Sequence, residues 1–142
     1  MDLEILEIAS NTKNHKVVKN HTHQSKNKNP LCGDEMEISL LVKDNIIQDM
    51  GYQCRSCVYC QASVSLLSRW VMQVPVEKIS NFISKAEFFF DENFDQLKKI
   101  NIKDLKDLKD LKDFKKIMNS KNISRKECLL LPFKTLSKAL KL

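Results

Sequence analysis

The segment EMEISLLVKDNIIQDMGYQC, residues 35–54, carries the clearest secondary-structure pattern in the chain. Apolar residues alternate along its first half, at the two-residue period of a strand with one buried face; they are Met36, Ile38, Leu40 and Val42. Asp44 and Asn45 supply a turn, and Ile46 to Tyr52 supply a second strand. The pattern predicts an antiparallel hairpin, which brings the loop before it and the loop after it to the same end.

Helical periodicity dominates the chain after the hairpin. Apolar residues recur at helical spacing between Ala62 and Val74, and Pro75 is predicted to end that helix. A second helix is predicted from about Val76 to Phe90.

The last segment is predicted to end in a helix, and two sequence signals give different starting points for it. Ser124 and Glu127 have the spacing of a capping box, which would begin the helix just before Cys128. Pro132 favours a first-turn position and would begin it later. In either case Cys128 lies near a helix N-terminus, where the helix dipole is expected to lower the pKa of a thiol.

Two other segments differ from the rest in composition. Residues 1–28 are predicted to form a polar N-terminal arm, which begins with a short helix capped by Asp2 and is almost devoid of apolar residues after residue 10. Residues 102–116 repeat Leu-Lys-Asp every three residues, whereas a helix turns once in about 3.6 residues, so the apolar line winds around the cylinder. We predict a helical insert whose charges are mostly solvated.

The overall composition narrows the classes of function. A chain of 142 residues with 42% apolar and 30% charged residues suits a single globular domain. The net charge of +6 is compatible with nucleic acid, but the lysines alternate with Asn rather than with arginines or aromatics, so we expect no nucleic-acid partner. No apolar run has membrane-spanning length, and the N-terminus carries acids where a secretory signal carries lysines; a cytoplasmic protein without a membrane partner is predicted.

Cysteine is the residue type that points to chemistry. Five cysteines in a reducing compartment indicate metal ligands or reactive thiols rather than a disulfide framework. They occupy three loci: Cys32 before the hairpin, Cys54, Cys57 and Cys60 after it, and Cys128 in the last segment. Asp34 adds a carboxylate oxygen that suits zinc or iron, so the set could close a tetrahedral site of three thiolates and one oxygen.

Cysteine spacing alone does not choose the metal. No second Cys-x-x-Cys pair completes a zinc knuckle, and Ser63 stands where a ferredoxin run would need a fourth cysteine. Some of these thiols could instead be small buried side chains.

Three motifs, in order, carry a resemblance to a known family. They are NPLCGDEMEISL, GYQCRSCVYCQASVSLL and RKECLLLPFKTLSKAL, and together they resemble the iron-sulfur cluster assembly scaffolds of the IscU, SufU and NifU N-terminal type. Aligning Gln61-Ala62-Ser63 with the family's x-A-S puts Cys57 at its second cysteine, and puts Cys54 and Cys60 where the family usually has Gly and Ser. Glu127 stands where IscU-type members have His, and the pattern looks closest to the SufU branch.

The resemblance implies an α+β fold, with a small antiparallel β-sheet and helices packed on one face, over a scaffold domain of residues 29–142. The implied metal ligands are Cys32, Asp34, Cys57 and Cys128, and the three cysteines among them would bind the cluster. Cys57 and Cys128 are the candidate persulfide acceptors. Cys54 and Cys60 are either auxiliary ligands or uninvolved.

The function implied by the resemblance is a scaffold for iron-sulfur cluster assembly. It would accept sulfur from a cysteine desulfurase, bind iron or zinc, and pass the cluster to apo-proteins. The site would hold an iron-sulfur cluster of the 2Fe–2S type, or Zn²⁺ at rest. We expect a non-enzymatic scaffold and sulfur acceptor; a SufU-like zinc-dependent sulfurtransferase and a structural zinc-binding interaction module remain as alternatives.

Overall fold

One antiparallel sheet organises the computed structural model, which describes residues 3–90 and 108–142. Within these ranges its strands follow the order β1–β2–β3, with β1 at His23–Lys28, β2 at Glu35–Lys43 and β3 at Ile46–Arg55. Strands β2 and β3 form the predicted hairpin. Asp44 and Asn45 connect them with φ angles of 55° and 62°, the left-handed pair that a tight two-residue turn requires.

Strand β3 is longer than predicted. The strand continues to Arg55, so Cys54 lies inside it. The sequence pattern had placed Cys54 after the hairpin, in the loop that follows. The register of the hairpin places Glu35 opposite Arg55. Residues 34 and 56 are therefore neighbours across the open end of the hairpin.

Strand β1 corrects the prediction of a polar arm. Residues 23–28 pair with β2 along their whole length, from His23 opposite Leu40 to Lys28 opposite Glu35. Its inward position is filled by Ser25, which is buried and donates a hydrogen bond to the Thr135 carbonyl at 2.6 Å. Because a hydroxyl replaces an apolar side chain there, the strand shows no hydrophobic alternation. The domain boundary at residue 28 stays a prediction.

The segment before β1 crosses the face of the sheet that the helices leave uncovered. The Tyr52 amide donates to the Asn14 carbonyl at 3.1 Å, and the Val18 amide donates to Ser39 Oγ at 2.9 Å. Between these points the Lys16 carbonyl lies against Gly51, where a Cβ atom would collide with it. Ser39 and Gly51 are cross-strand partners, so two small residues open the path of the segment.

The helices follow from the apolar stripes in the sequence. They are α1 at Leu3–Ser10, α2 at Val58–Trp70, α3 at Val76–Ser84, α4 at Leu108–Ile117 and α5 at Lys126–Leu140. Helix α5 packs on β1, β2 and α2, while α2 also contacts β3 and α1. The predicted α+β fold is thus confirmed; the cap predicted at Asp2 lies outside the described residues.

Two helix boundaries differ from prediction. Helix α2 ends at Trp70, before Pro75, and Pro75 instead is the N-cap of α3. The predicted second helix is divided, because α3 ends at Ser84 and a 3₁₀ segment covers Ala86–Phe90.

The start of α5 also corrects the capping-box prediction. Ser124 lies in a 3₁₀ segment, Ser120–Arg125, and Arg125 is the N-cap without a side-chain cap bond. Pro132 lies inside α5 rather than at its start. Because proline has no N–H, the carbonyl of Cys128 lacks its usual helical donor four residues on.

The end of the Leu-Lys-Asp repeat is helical and packs into the core. Phe114 in α4 is fully buried, and its ring centroid lies 5.1 Å from that of Phe82 and 5.9 Å from that of Phe133. Ile117 and Met118 are buried beside it, so the apolar spacing becomes helical just as the repeat ends. Residues 102–107 of the repeat lie outside the described residues.

Replacing Gly51 tests the crossing of the N-terminal segment. Gly51→Ala should reduce the free energy of unfolding by about 1–3 kcal/mol, because the added methyl group meets backbone that cannot rotate away. Equilibrium urea unfolding measures the change. Gln53→Ala, an exposed site on the same strand, is the control and should stay within about 0.5 kcal/mol of wild type; equal stability of both variants would argue against the crossing.

Replacing Phe114 tests whether α4 belongs to the core. Phe114→Ala should cost about 3–5 kcal/mol, because it leaves a cavity among aromatic rings. The exposed Lys116 on the same helix is the matched control, and Lys116→Ala should cost about 0.5 kcal/mol or less. A loss below about 1 kcal/mol for Phe114→Ala would show that the repeat packs elsewhere.

Candidate metal centre

The loop Asn29–Asp34 presents the first ligands. It closes on itself, since the Asn29 amide donates to the Asp34 carbonyl and the Gly33 amide donates to the Asn29 carbonyl, both at 2.8 Å. The Asn29 side chain accepts from the Leu31 amide at 3.0 Å, and Gly33 adopts a φ of 75°, which favours glycine. The loop therefore holds Cys32 exposed at its tip and Asp34 buried at its base.

Three of the predicted ligands form a compact group. The thiol sulfurs of Cys32 and Cys128 and a carboxylate oxygen of Asp34 all lie within 4.8 Å of one another. The two sulfurs are 3.6 Å apart. Two thiolates of a tetrahedral zinc site with bonds of about 2.3 Å would stand about 3.8 Å apart, so the spacing suits a shared metal ion.

The two carboxylate oxygens of Asp34 differ in their hydrogen bonding. Its Oδ1 accepts a hydrogen bond from the Cys57 amide at 3.2 Å. Its Oδ2 is buried and has no hydrogen-bond partner in the described part of the chain. An unpartnered buried carboxylate oxygen is costly, and a bound cation would remove that cost. The donor set thus fits a metal of the zinc or iron type.

Cys57 lies next to the group without completing it. It is the N-cap of α2, partly exposed, and its side chain makes no cap hydrogen bond. Its thiol is near enough to Cys128 to help raise the pKa of that residue. Among the described residues it stands outside the set whose ligand atoms all lie within 4.8 Å.

Cys54 and Cys60 stand three residues before and three residues after Cys57, and they differ in burial. Cys54 is partly buried in β3, and Cys60 is fully buried in the first turn of α2. Burial raises the pKa of both thiols, with the charge of Asp34 adding to the effect and the Ser56 hydroxyl opposing it. Whether either is an auxiliary ligand stays a prediction.

The protonation of Cys128 differs from the prediction. Burial, contact with the Cys32 thiol and the charge of Cys57 raise the pKa of Cys128, and Asp34 adds to the rise. The helix dipole had been expected to lower it. Burial, together with the contacts that Cys128 makes with Cys32, Cys57 and Asp34, outweighs the effect of the helix dipole on its pKa.

One positioning contact was missed by the sequence analysis. Ser63 Oγ, buried in α2, donates to the Leu129 carbonyl in α5 at 2.6 Å. This bond ties the helix that begins after Cys57 to the helix that carries Cys128. A serine on the apolar stripe of α2 was the available signal, because a buried hydroxyl requires a partner.

Comparison with known proteins gives a consistent set of relatives. A family model described as the NifU-like N-terminal domain matches residues 2–99. The chain is 33% identical over 139 residues to the iron-sulfur cluster assembly scaffold protein IscU of Thermotoga maritima, covering 96% of this chain and 89% of that protein. It is 25% identical over 128 residues to an uncharacterized protein of Borreliella burgdorferi, covering 89% and 81%.

Solved structures share the fold. An iron-sulfur cluster assembly scaffold protein for the SUF system from Fervidobacterium islandicum superposes with a TM-score of 0.78 at 23% identity, covering 99% of this chain and 96% of that one. The N-terminal part of a NifU-like protein from Brucella abortus gives 0.77 at 19% identity, covering 99% and 91%. Within residues 3–90 and 108–142, no helix is long and apolar enough to cross a bilayer.

Removing the Cys128 thiol tests the group directly. Cys128→Ser should abolish stable metal loading, because a neutral hydroxyl replaces a thiolate that is central to the cluster of ligand atoms. Metal content per chain after anaerobic reconstitution with Zn²⁺ or Fe²⁺ measures the loss. Cys54→Ser, a thiol outside the compact group, is the comparison and should retain metal; full occupancy in Cys128→Ser would remove Cys128 from the site.

Proposed function

Because the chain belongs to the NifU-like N-terminal domain family, we propose that it is a scaffold for iron-sulfur cluster assembly. The observation that carries the proposal is the group formed by Cys32, Asp34 and Cys128, with its two sulfurs 3.6 Å apart. The role of its relative from Thermotoga maritima supports the same reading. A scaffold that binds and delivers its cargo is not itself an enzyme.

The proposed ligands are Cys32, Asp34, Cys57 and Cys128. The Cys57 side chain is not restrained by a cap bond, and its thiol lies near enough to Cys128 to affect the pKa of that residue. The three cysteines would hold the cluster, with 2Fe–2S as the expected type, and Zn²⁺ would suit the same ligands at rest. Asp34 would keep the assembly labile, because an oxygen ligand exchanges more readily than a fourth thiolate.

Sulfur would arrive by exchange with a donor persulfide, for which a cysteine desulfurase is the proposed source. A thiolate of Cys57 or Cys128 attacks the terminal sulfur of the donor; its S–S bond breaks, the donor thiolate leaves, and a new S–S bond forms on the scaffold. The transfer is redox-neutral. Sulfane sulfur therefore still needs two electrons before it becomes the sulfide of a cluster.

The surface around the loop suits transient partners. Leu31, next to Cys32, is 86% exposed and offers an apolar contact to a donor or to an apo-protein that takes the cluster. A cytoplasmic location would supply the reducing conditions that free thiols need.

Two measurements test this function against its alternatives. Anaerobic purification with metal analysis and a visible absorption spectrum separates a cluster scaffold from a zinc-dependent sulfurtransferase, which would hold zinc and never show a cluster spectrum. Persulfide labelling after incubation with a desulfurase and cysteine separates both from a structural zinc module. A colourless, zinc-loaded protein that never gains sulfane sulfur would refute the proposal.

Asp34 should control release of the cluster. Asp34→Ala should hold metal or cluster more firmly and slow transfer to an apo-ferredoxin by about tenfold, as followed by circular dichroism of the acceptor. Asp34→Asn is the matched control, since its side-chain oxygen can still accept from the Cys57 amide. Transfer as fast as wild type in Asp34→Ala would contradict the role.

A further inference from the structure

The sequence Cys57-Val58-Tyr59-Cys60 contains a thiol, that of Cys60, which lies outside the compact group of Cys32, Asp34 and Cys128. Cys57 is the N-cap of α2, and Cys60 is the third residue of that helix. The N-cap and the third helical position are neighbours, which is why residues at these positions cap each other reciprocally in many helices. Both Cys54 and Cys57 lie near enough to Cys60 to add to the rise in its pKa, which burial mainly causes. The spacing of Cys57 and Cys60 is that of a redox-active dithiol.

The two thiols differ in access. Cys57 is partly exposed and borders the metal group, whereas Cys60 has no exposed surface. A donor protein can therefore reach Cys57, while Cys60 can be reached only by a neighbour within the fold. An accessible thiol that receives sulfur, with a second thiol beside it, is an arrangement that suits thiol–disulfide exchange.

We propose that Cys60 is a resolving thiol, which releases sulfur accepted on Cys57 as sulfide. The inference rests on the proposed function, because it requires sulfane sulfur on Cys57. The Cys60 sulfur attacks Cys57 Sγ, the bond from Cys57 Sγ to the sulfane sulfur breaks, and a Cys57–Cys60 disulfide forms. The two cysteine sulfurs lose two electrons and the sulfane sulfur gains them. The proton of Cys60 departs on the hydrosulfide.

This step would supply the two electrons that persulfide transfer lacks. Hydrosulfide would be released beside Cys32, Asp34 and Cys128, where iron would be bound. An external dithiol then reduces the disulfide and frees Cys57 for the next round. Each round consumes one dithiol and yields one sulfide.

Cys54 has the same spacing on the other side of Cys57 but not the same geometry. Cys54 lies in β3, which ends at Arg55, whereas Cys57 and Cys60 share the first turn of α2; extended chain covers about 10 Å in three residues. A disulfide requires Cα atoms within about 7 Å, which one turn of helix provides and a strand does not. Cys54 therefore serves as the matched control.

The test is a single turnover on the full-length protein without added thiol. Wild type, Cys60→Ser and Cys54→Ser are loaded with inorganic polysulfide, desalted anaerobically, and assayed for released sulfide with monobromobimane. Trypsin cuts after Arg55 and Arg69, so the peptide 56–69 carries Cys57 and Cys60 without Cys54. A Cys57–Cys60 disulfide is then an internal loss of two hydrogens in one peptide.

We expect wild type and Cys54→Ser to release one sulfide for each internal disulfide in peptide 56–69. Cys60→Ser should keep sulfane sulfur on Cys57 and release sulfide about tenfold more slowly, or slower still, because an external thiol must replace a tethered one. Serine suits the position, since it stands there in the resembled family. Thermal melts of Cys60→Ser and Cys60→Ala verify folding, and the wild-type ratio of sulfide to disulfide tests the step without any variant.

Equal sulfide release from wild type and Cys60→Ser would overturn the inference and leave the scaffold function standing. A disulfide that joins Cys57 to Cys54 or Cys32 would also overturn it. If peptide 56–69 takes up no sulfane sulfur even in Cys60→Ser, the acceptor role of Cys57 fails, and the inference fails with it.

Discussion

The pairing of β2 with β3 is the constraint on which the site depends. Their register sets Glu35 opposite Arg55, so the residues just beyond, Asp34 and Cys57, approach each other and form the bond from the Cys57 amide to Asp34 Oδ1. A slip of one residue would turn the buried side chains of the hairpin to the wrong face, which makes the register strongly specified. The hydrophobic core thus fixes the distance between two parts of the site that are 23 residues apart in sequence.

Cys128, the third part of the site, is positioned by helix packing rather than by strand pairing. Helix α5 lies on β1, β2 and α2, and the bond from Ser63 to the Leu129 carbonyl sets it against α2. Cys128 then faces Cys32 from the N-terminus of α5. The Cys128 carbonyl receives no helical hydrogen bond from residue 132, because that residue is proline. Thiols from separate elements, and a carboxylate with one oxygen in a hydrogen bond, form a preorganised group that is still open at the exposed Cys32.

The sequence predicts those elements whose signal is local. Alternation from Met36 to Val42 and the Asp44-Asn45 turn specify the hairpin, and the helical stripes specify α2 and α5. Strand β1 could not be found in this way, because Ser25 occupies its buried position and its stability comes from β2 and α5. The burial of Phe114 could not be predicted for a related reason, because an apolar period of three does not show which turn of the repeat meets the core. Cys128 shows the limit for chemistry, because its pKa depends on neighbours that only the folded chain brings together.

The polar composition of β1 has a consequence for self-association. An exposed outermost strand is a template on which a second chain can add, and proteins oppose this with lysines and with side chains that occupy the free backbone groups. Here Lys26 and Lys28 lie in that strand, and Lys138 from α5 donates to the Lys26 carbonyl at 2.8 Å. On the opposite border of the sheet, the Asn14 carbonyl accepts a hydrogen bond from the Tyr52 amide. A backbone group on each border of the sheet is thereby occupied within the chain, which opposes the addition of a strand from a second molecule.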